Sequence, residues 1–378
     1  MKNFNIYSCV FSLFALYFCV NSYAVPLINS KTGTVVDGSN ITISGSGFGS
    51  KITATPHTWD NFNAGTDGVD ITGKSPVIGN TWESIFASPV YSSSNKRNNT
   101  NNCKLELSSL GQTGRTLKQT GLLLSAGDKI FISFWHRFSW GTVEGSNQRQ
   151  IKTWRILHYK SGYNTYFDAS NWQYEPGVSD PRSWVHNLYD GAVGDVDPSD
   201  KDITPYMPGE NWRRHDLELK ISSAPLTNDG SVKYWVSEIN FSGPIVKHVD
   251  DSSMTFIPAN GEIWNELWLG QWIGNTLSSP YYTTIYYDDI YFDTSWQRVE
   301  IGNASTYESC THREIQIPTA WTDTSITINM NQSSFEACGT YYLFVVDADG
   351  NVNAEGYPIK IVTGSGAAPC PPTGLEIQ

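Results

Sequence analysis

A basic window interrupts an otherwise acidic chain between His136 and Lys160. Arg137, Arg149, Lys152, Arg155 and Lys160 are answered there only by Glu144, although the 378 residues carry a formal net charge of −12. Gln148, Gln150, His158 and Tyr159 lie among the cations, and Tyr163 and Tyr166 follow them. These residue types suit a carboxylated sugar, because a local cationic field attracts an anion at short range whatever the overall charge. Elimination at a uronate needs a cation or amide to neutralise the carboxylate, a base for the C5 proton and an acid for the leaving oxygen. Lys152, Arg155, His158 and Tyr159 are the candidates for those roles, with Gln150 as a binding partner. Read as one strand, the window splits by parity: Gln150, Lys152, Trp154 and His158 fall on one face, Arg155 and Tyr159 on the other. Only a bulge brings both sets to one groove; otherwise the window is a structural strand.

A second constellation runs from Glu262 to Ile273. Period-two alternation puts Ile263, Leu267, Leu269 and Ile273 on an aliphatic face and Trp264, Glu266, Trp268 and Trp272 on the other. Indole rings beside a carboxylate on a second face suggest a stacking platform for sugars rather than core. The same alternation in Lys129–Trp140 sets Trp135 and Arg137 apart from Ile132, Phe134 and Phe138, so both are expected to join that platform. Glycoside hydrolysis fits poorly. Glu262 and Glu266 stand about 13 Å apart along a strand at ~3.3 Å per residue, beyond the spacing either mechanism uses.

The elements that must carry these residues are strands. Gly 32, Pro 18, Trp 14 and Tyr 20 beside 39% hydrophobic residues describe an aromatic, turn-rich chain with no sustained helical period. The fold class expected is all-β. Strand Trp212–Ser222 turns Leu217, Leu219 and Ile221 inward, which leaves Arg214, Asp216, Glu218 and Lys220 for a solvated convex face. Residues 1–24, with Lys2, an apolar run and Ser22-Tyr23-Ala24, read as a secretory signal, so the mature protein is expected to be secreted. No later run is long enough to span a bilayer. Cys103, Cys310, Cys338 and Cys370 remain, and Cys310–Cys338 is the expected disulfide. The acidic balance argues against nucleic acid. No cofactor is required. The acid-rich loop from Asp190 to Asp202 offers a structural calcium site at Asp195, Asp197 and Asp200, and Asp288, Asp289 and Asp293 form a second oxygen-rich group. Oligomeric state is not legible.

Two resemblances organise the chain. Ile41–Ser46 followed by Gly45-x-x-Phe48-Gly49 resembles the opening of an IPT/TIG immunoglobulin-like domain. Trp321, Thr324, Ile326 and Ile328, then Tyr342, Val345, Asp347 and Gly350, resemble its closing strands. That implies a discontinuous small sandwich over 25–55 and 300–364, with a tail at 365–378. The segments around Trp212–Lys220, Leu267–Gly270 and Tyr286-x-Asp288-Asp289-Ile290 resemble the concanavalin A-like lectin/glucanase group, which implies a jelly-roll domain over 56–299. The basic window is similar in composition to the catalytic strands of jelly-roll polysaccharide lyases, but Lys152 follows Gln150-Ile151 where their motif carries His, and the terminal Tyr-Lys-x-Gly is absent. Such folds host lectins, hydrolases and lyases alike. Three readings follow: a secreted polysaccharide-binding protein, a lyase on a uronate-containing glycan, and an extracellular surface or assembly protein.

Overall fold

In a computed structural model, the structure describes residues 25–85, 87–98, 100–108, 115–140, 149–160, 163–173, 182–190, 194–195, 201–202, 211–237, 241–270, 273–274, 282–364 and 370. Among the described residues the regular elements are all strands, as the composition implies, and the named strands pair antiparallel. Three sheets result. The central sheet runs in the order Val246–Met254, Gly230–Val236, Arg213–Lys220, Lys129–Trp140, Tyr282–Asp293, Asn102–Ser108 and Val90–Ser92, with Thr58–Asp60 also on Tyr282–Asp293. A distal sheet holds Arg182–Asp190, Tyr163–Gln173, Arg149–Lys160, Glu266–Leu269 and Leu117–Thr120 in that order. A seven-stranded terminal sheet joins Leu27–Thr32 and Asn40–Ser46 to five strands between Arg298 and Lys360.

Alternation decides which side chains fill the space between the central and distal sheets. Ile130, Ile132, Phe134, Phe138, Leu217 and Leu219 meet Trp154, Ile156, Leu267 and Leu269 in one buried apolar cluster. The terminal sheet curls around a separate cluster that includes Ile41, Ile43, Phe48, Val299, Ile326, Ile328 and Val345. Gly47 and Gly49, with φ of +72° and +70°, turn the chain tightly so that Phe48 enters that cluster fully buried. Trp321 Nε1 donates to the Phe48 and Gly49 carbonyls at 3.2 and 3.1 Å and ties the two ends of the chain together.

Much of the outer face of the central sheet is shielded from water, although Lys220 and Lys233 stay half-buried. Arg214, Asp216 and Glu218 are 1%, 3% and 3% exposed, so the expected solvated convex face is overturned. The terminal sheet covers it, through a small apolar cluster of Phe131, Tyr291, Trp296, Ile315 and Ile317 and through paired charges. Glu300 is fully buried and draws three arginines: Arg298 Nε at 2.7 Å, Arg214 Nη2 at 2.9 Å and Arg313 Nε at 3.2 Å. Arg298 also reaches Glu218 at 2.9 Å, and Arg214 reaches Asp216 at 2.9 Å. Burial alone would raise the Glu300 carboxyl's pKa, but the three guanidinium groups outweigh it and hold the group well below the usual carboxylate range.

The disulfide differs from the expected pairing. Cys338 bonds Cys370, closing a separation of 32 residues, while Cys310 and Cys103 are buried free thiols. Cys310 turns away toward the Ala304 and Thr306 carbonyls, against Gly302.

Breaking one partner of a buried charge cluster strands the others. Glu300→Ala should therefore cost about 3–5 kcal/mol in urea denaturation. Lys247→Ala, which removes an exposed pair with Asp250, should cost about 1 kcal/mol or less. Equal effects would contradict the role given to Glu300. A second expectation concerns His136, 1% exposed beside Tyr287 and His215, where burial pushes its pKa from 6.5 down to about 3. Between those values the unfolded chain binds a proton that the folded protein refuses, so this group's contribution to stability is lost as pH falls below 6.5. From pH 7 to pH 5 wild type should lose about 2 kcal/mol more than His136→Phe. Parallel stability–pH curves for the two proteins would refute this.

Candidate functional site

On the distal sheet the outward-facing residues form a polar cluster. Trp268 lies opposite Arg155 on one side and Lys118 on the other, and Glu266 lies opposite Leu157 and Thr120. Trp268 Nε1 donates to Glu266 Oε2 at 2.6 Å. Lys118 Nζ sits 3.4 Å from Glu266 Oε1 and 3.2 Å from Glu83 Oε2, and Thr120 donates to Glu83 Oε1 at 2.8 Å. Exposure rises outward across this cluster. Trp268 and Arg155 are 1% and 6% exposed, whereas the Lys118, Glu266 and Glu83 side chains are 11%, 12% and 50% exposed.

The parity conflict in the basic window is resolved by a bulge. Arg149–Lys160 pairs with Tyr163–Gln173 with a register shift between Lys152 and Trp154: Lys152 opposes Ser170, whereas Trp154 opposes the next residue, Ala169. Thr153 is the extra residue. Because alternation restarts after it, positions 150 and 152 fall in the same phase as Arg155 and Tyr159. His158 keeps the opposite phase, with Nδ1 3.6 Å from Glu262 Oε2. The bulge is held from across the core. Tyr287, fully buried on the central sheet, donates to the Thr153 carbonyl and accepts the Gly270 amide at 3.0 Å, and the Gly270 amide also reaches the Thr153 carbonyl at 2.7 Å. Gly270 has φ +66°, and a Cβ there would lie 2.5 Å from Leu105, so the turn requires glycine.

The expected aromatic platform does not assemble. Trp264 precedes the strand Glu266–Leu269, where strand alternation does not apply. It packs on Phe256 at a ring distance of 5.0 Å and belongs to the core. Trp268 faces outward yet is buried with its indole nitrogen committed to Glu266. Trp272, Asp197 and Asp200 lie outside the described residues. Asp195, also a candidate calcium ligand, pairs through its backbone with Tyr189. Asp288 and Asp289 instead pair with Arg97, and Asp293 with Lys51 at 2.6 Å, so side-chain cations occupy that second acidic group. Among the described residues no cluster of three or more His, Cys, Asp or Glu is arranged to hold a metal.

Trp135 and Arg137 stand on the central sheet, not the distal one, and face the terminal sheet. They line a cavity of about 270 Å³ with Arg97, Trp212 and Phe241. Trp135 Nε1 donates to Glu314 at 3.2 Å and the Arg97 guanidinium lies over its ring at 4.4 Å. Arg97 is held by Asp288, Asp289 and Glu314. Burial would raise the Glu314 carboxyl's pKa, but Arg97 and His312 hold it well below its ordinary value. Sequence reasoning missed Arg97, Lys118, Trp212 and Phe241. Alternation within Leu117–Thr120 could have flagged Lys118; Arg97 sits in an irregular segment with no period to read.

No protein-family model and no curated protein matches the chain. Several solved structures are similar over part of it. Alginate lyase vAL-1 from Chlorella virus is 12% identical, with 60% of this chain and 91% of that one covered at a TM-score of 0.31. The alginate lyase from Klebsiella pneumoniae is 11% identical, with coverages of 52% and 82% and a TM-score of 0.29. The Botulinum neurotoxin serotype D binding domain is 12% identical, with coverages of 62% and 48%, so about half of that chain is spanned, at a TM-score of 0.32. At these scores the likeness assigns neither ligand nor reaction.

Tyr287 acts through its hydroxyl, so Tyr287→Phe isolates the anchor of the bulge. It should lose about 1–3 kcal/mol in urea denaturation, the cost of a missing buried hydrogen-bond partner. Unchanged stability would mean that the Gly270–Thr153 bond fixes the bulge unaided.

Proposed function

We propose that the protein binds an acidic polysaccharide along the outer face of the distal sheet. The observation that carries this reading is the bulge at Thr153, which puts positions 150, 152 and 155 in one phase beside Lys118, Glu266 and Trp268. The lysines supply charge for carboxylates, with the buried Arg155 behind them, Gln150 and Glu266 supply hydroxyl contacts, and polar contacts replace the aromatic stacking first expected. The reading includes secretion after cleavage of residues 1–24. It also includes a concanavalin A-like unit, 56–299, inserted in an IPT/TIG-like unit, with the two separate apolar clusters as support.

A second reading is a lyase, and the same bulge favours it. Lys152, Arg155 and Tyr159 now share one phase, as elimination requires: a guanidinium against the uronate carboxylate, a base that takes the C5 proton, and an acid that protonates the departing glycosidic oxygen as the C4–O bond breaks. His158, in the opposite phase, is left out of that set.

Affinity electrophoresis in alginate, pectate, glucuronan and glycosaminoglycans, with neutral glucan as control, tests the binding. Retardation should occur in acidic gels alone, weaken with salt, and fall about tenfold or more in Lys152→Ala. Equal retardation by neutral glucan, or none in any gel, sinks the proposal; the latter favours a surface or assembly protein. A rise in unsaturated-uronate absorbance on incubation with a retarding polymer makes it a lyase.

A further inference from the structure

The cavity between the central and terminal sheets has features that structural packing does not require. Its walls are aromatic: Trp135, fixed by Glu314 and Arg97; Trp212, whose Nε1 donates to the Asn95 carbonyl at 2.9 Å; and Phe241, stacked on His312 at 4.0 Å. Two guanidinium groups reach it, and they are in different states. Arg97 is committed to three carboxylates. Arg137 is half-buried, its Nε is buried without a hydrogen-bond partner, and among the described residues no carboxylate forms an ion pair with it. A buried donor left without a partner costs stability unless something completes it, and on Arg137 that donor is Nε. A planar fork of donors is completed best by a carboxylate, which takes two parallel hydrogen bonds.

Size and shape narrow the ligand. About 270 Å³ falls just under the ~300 Å³ at which small-molecule sites usually begin, room for one ring rather than a chain of them. Indole and phenyl faces favour the flat apolar face of a ring. We infer that this cavity is a second ligand site, which takes a single carboxylate-bearing sugar ring with its carboxylate on Arg137 and its ring against Trp135, Trp212 and Phe241. The site is on a different sheet from the polymer-binding face and does not depend on it.

Isothermal titration of the protein with glucuronate, and with glucose as the uncharged counterpart, tests the inference. Wild type should bind glucuronate and not glucose. Arg137→Gln should weaken glucuronate by about tenfold or more, the worth of a charge-assisted bond. Arg137→Lys, which keeps the charge and loses the fork, should fall between. Without ligand, Arg137→Gln should melt at or above the wild-type temperature, because among the described residues Arg137 has no ion-pair partner to lose. A substantially lower melting temperature would make Arg137 a structural member and overturn the inference. So would equal binding of glucose, unchanged glucuronate binding in Arg137→Gln, or no glucuronate binding by wild type. None of these results bears on gel retardation by polymers, and a failed gel experiment leaves the titration unaffected.

Discussion

Glu300 is the residue on which the arrangement of layers depends. It comes from the terminal sheet, is fully buried, and collects Arg214 from the central sheet together with Arg298 and Arg313 from its own. Among the described residues, the apolar cluster between the two sheets is a small one around Trp296 and Tyr291. Apolar surfaces alone tolerate sliding, whereas a carboxylate shared by three guanidinium groups has few acceptable positions. Arg214 is fixed in turn by Asp216, and Arg298 by Glu218, so the register between sheets is set by directional bonds on both sides.

That docking creates the junction cavity. Trp135 and Arg137 would lie on an open sheet face were the terminal sheet absent. With it in place, Glu314 and His312 arrive opposite Trp135, and Arg97 is drawn in to answer Asp288, Asp289 and Glu314. Asp289 adopts φ +46° at a register shift of its strand, a conformation that a short polar side chain tolerates, and this brings consecutive acids to one cation. Arg97 is consumed by the docking and Arg137 is not. The same contact therefore supplies rigidity at one guanidinium, while among the described residues no carboxylate pairs with the neighbouring one.

Strand positions were largely legible because period-two alternation is a local property. Lys129–Trp140 and the inward set Ile132, Phe134 and Phe138 could be read directly, and so could the two faces of Arg213–Lys220. What covers a face was not legible. Arg214, Asp216 and Glu218 alternate as a solvated strand would, and only the terminal sheet, contributed from both ends of the chain, makes them buried partners. Alternation also misleads where the strand stops. Trp264 lies just before Glu266–Leu269 and turns into the core, and Gly270 breaks the phase after Leu269. The cysteine pairing failed for a related reason, since Cys310 and Cys338 flank strands of one sheet but the disulfide closes onto Cys370.

The bulge at Thr153 joins both kinds of information. From sequence, the basic window looked divided between two faces, and that was correct for a regular strand. One extra residue shifts the first half by a single step, and a single step exchanges faces. Nothing local to the window demands it, since Thr153 is neither glycine nor proline. The demand comes from across the core, where Tyr287 reaches the freed Thr153 carbonyl and the Gly270 amide with one hydroxyl. An extra residue disrupts a ladder and leaves backbone groups that must be satisfied elsewhere. Here the partner is a tyrosine on the facing sheet, next to the acidic pair that receives Arg97. The residues that bring positions 150, 152, 155 and 159 into one phase are thus continuous, along one strand, with those that lock the terminal sheet and shape the junction cavity.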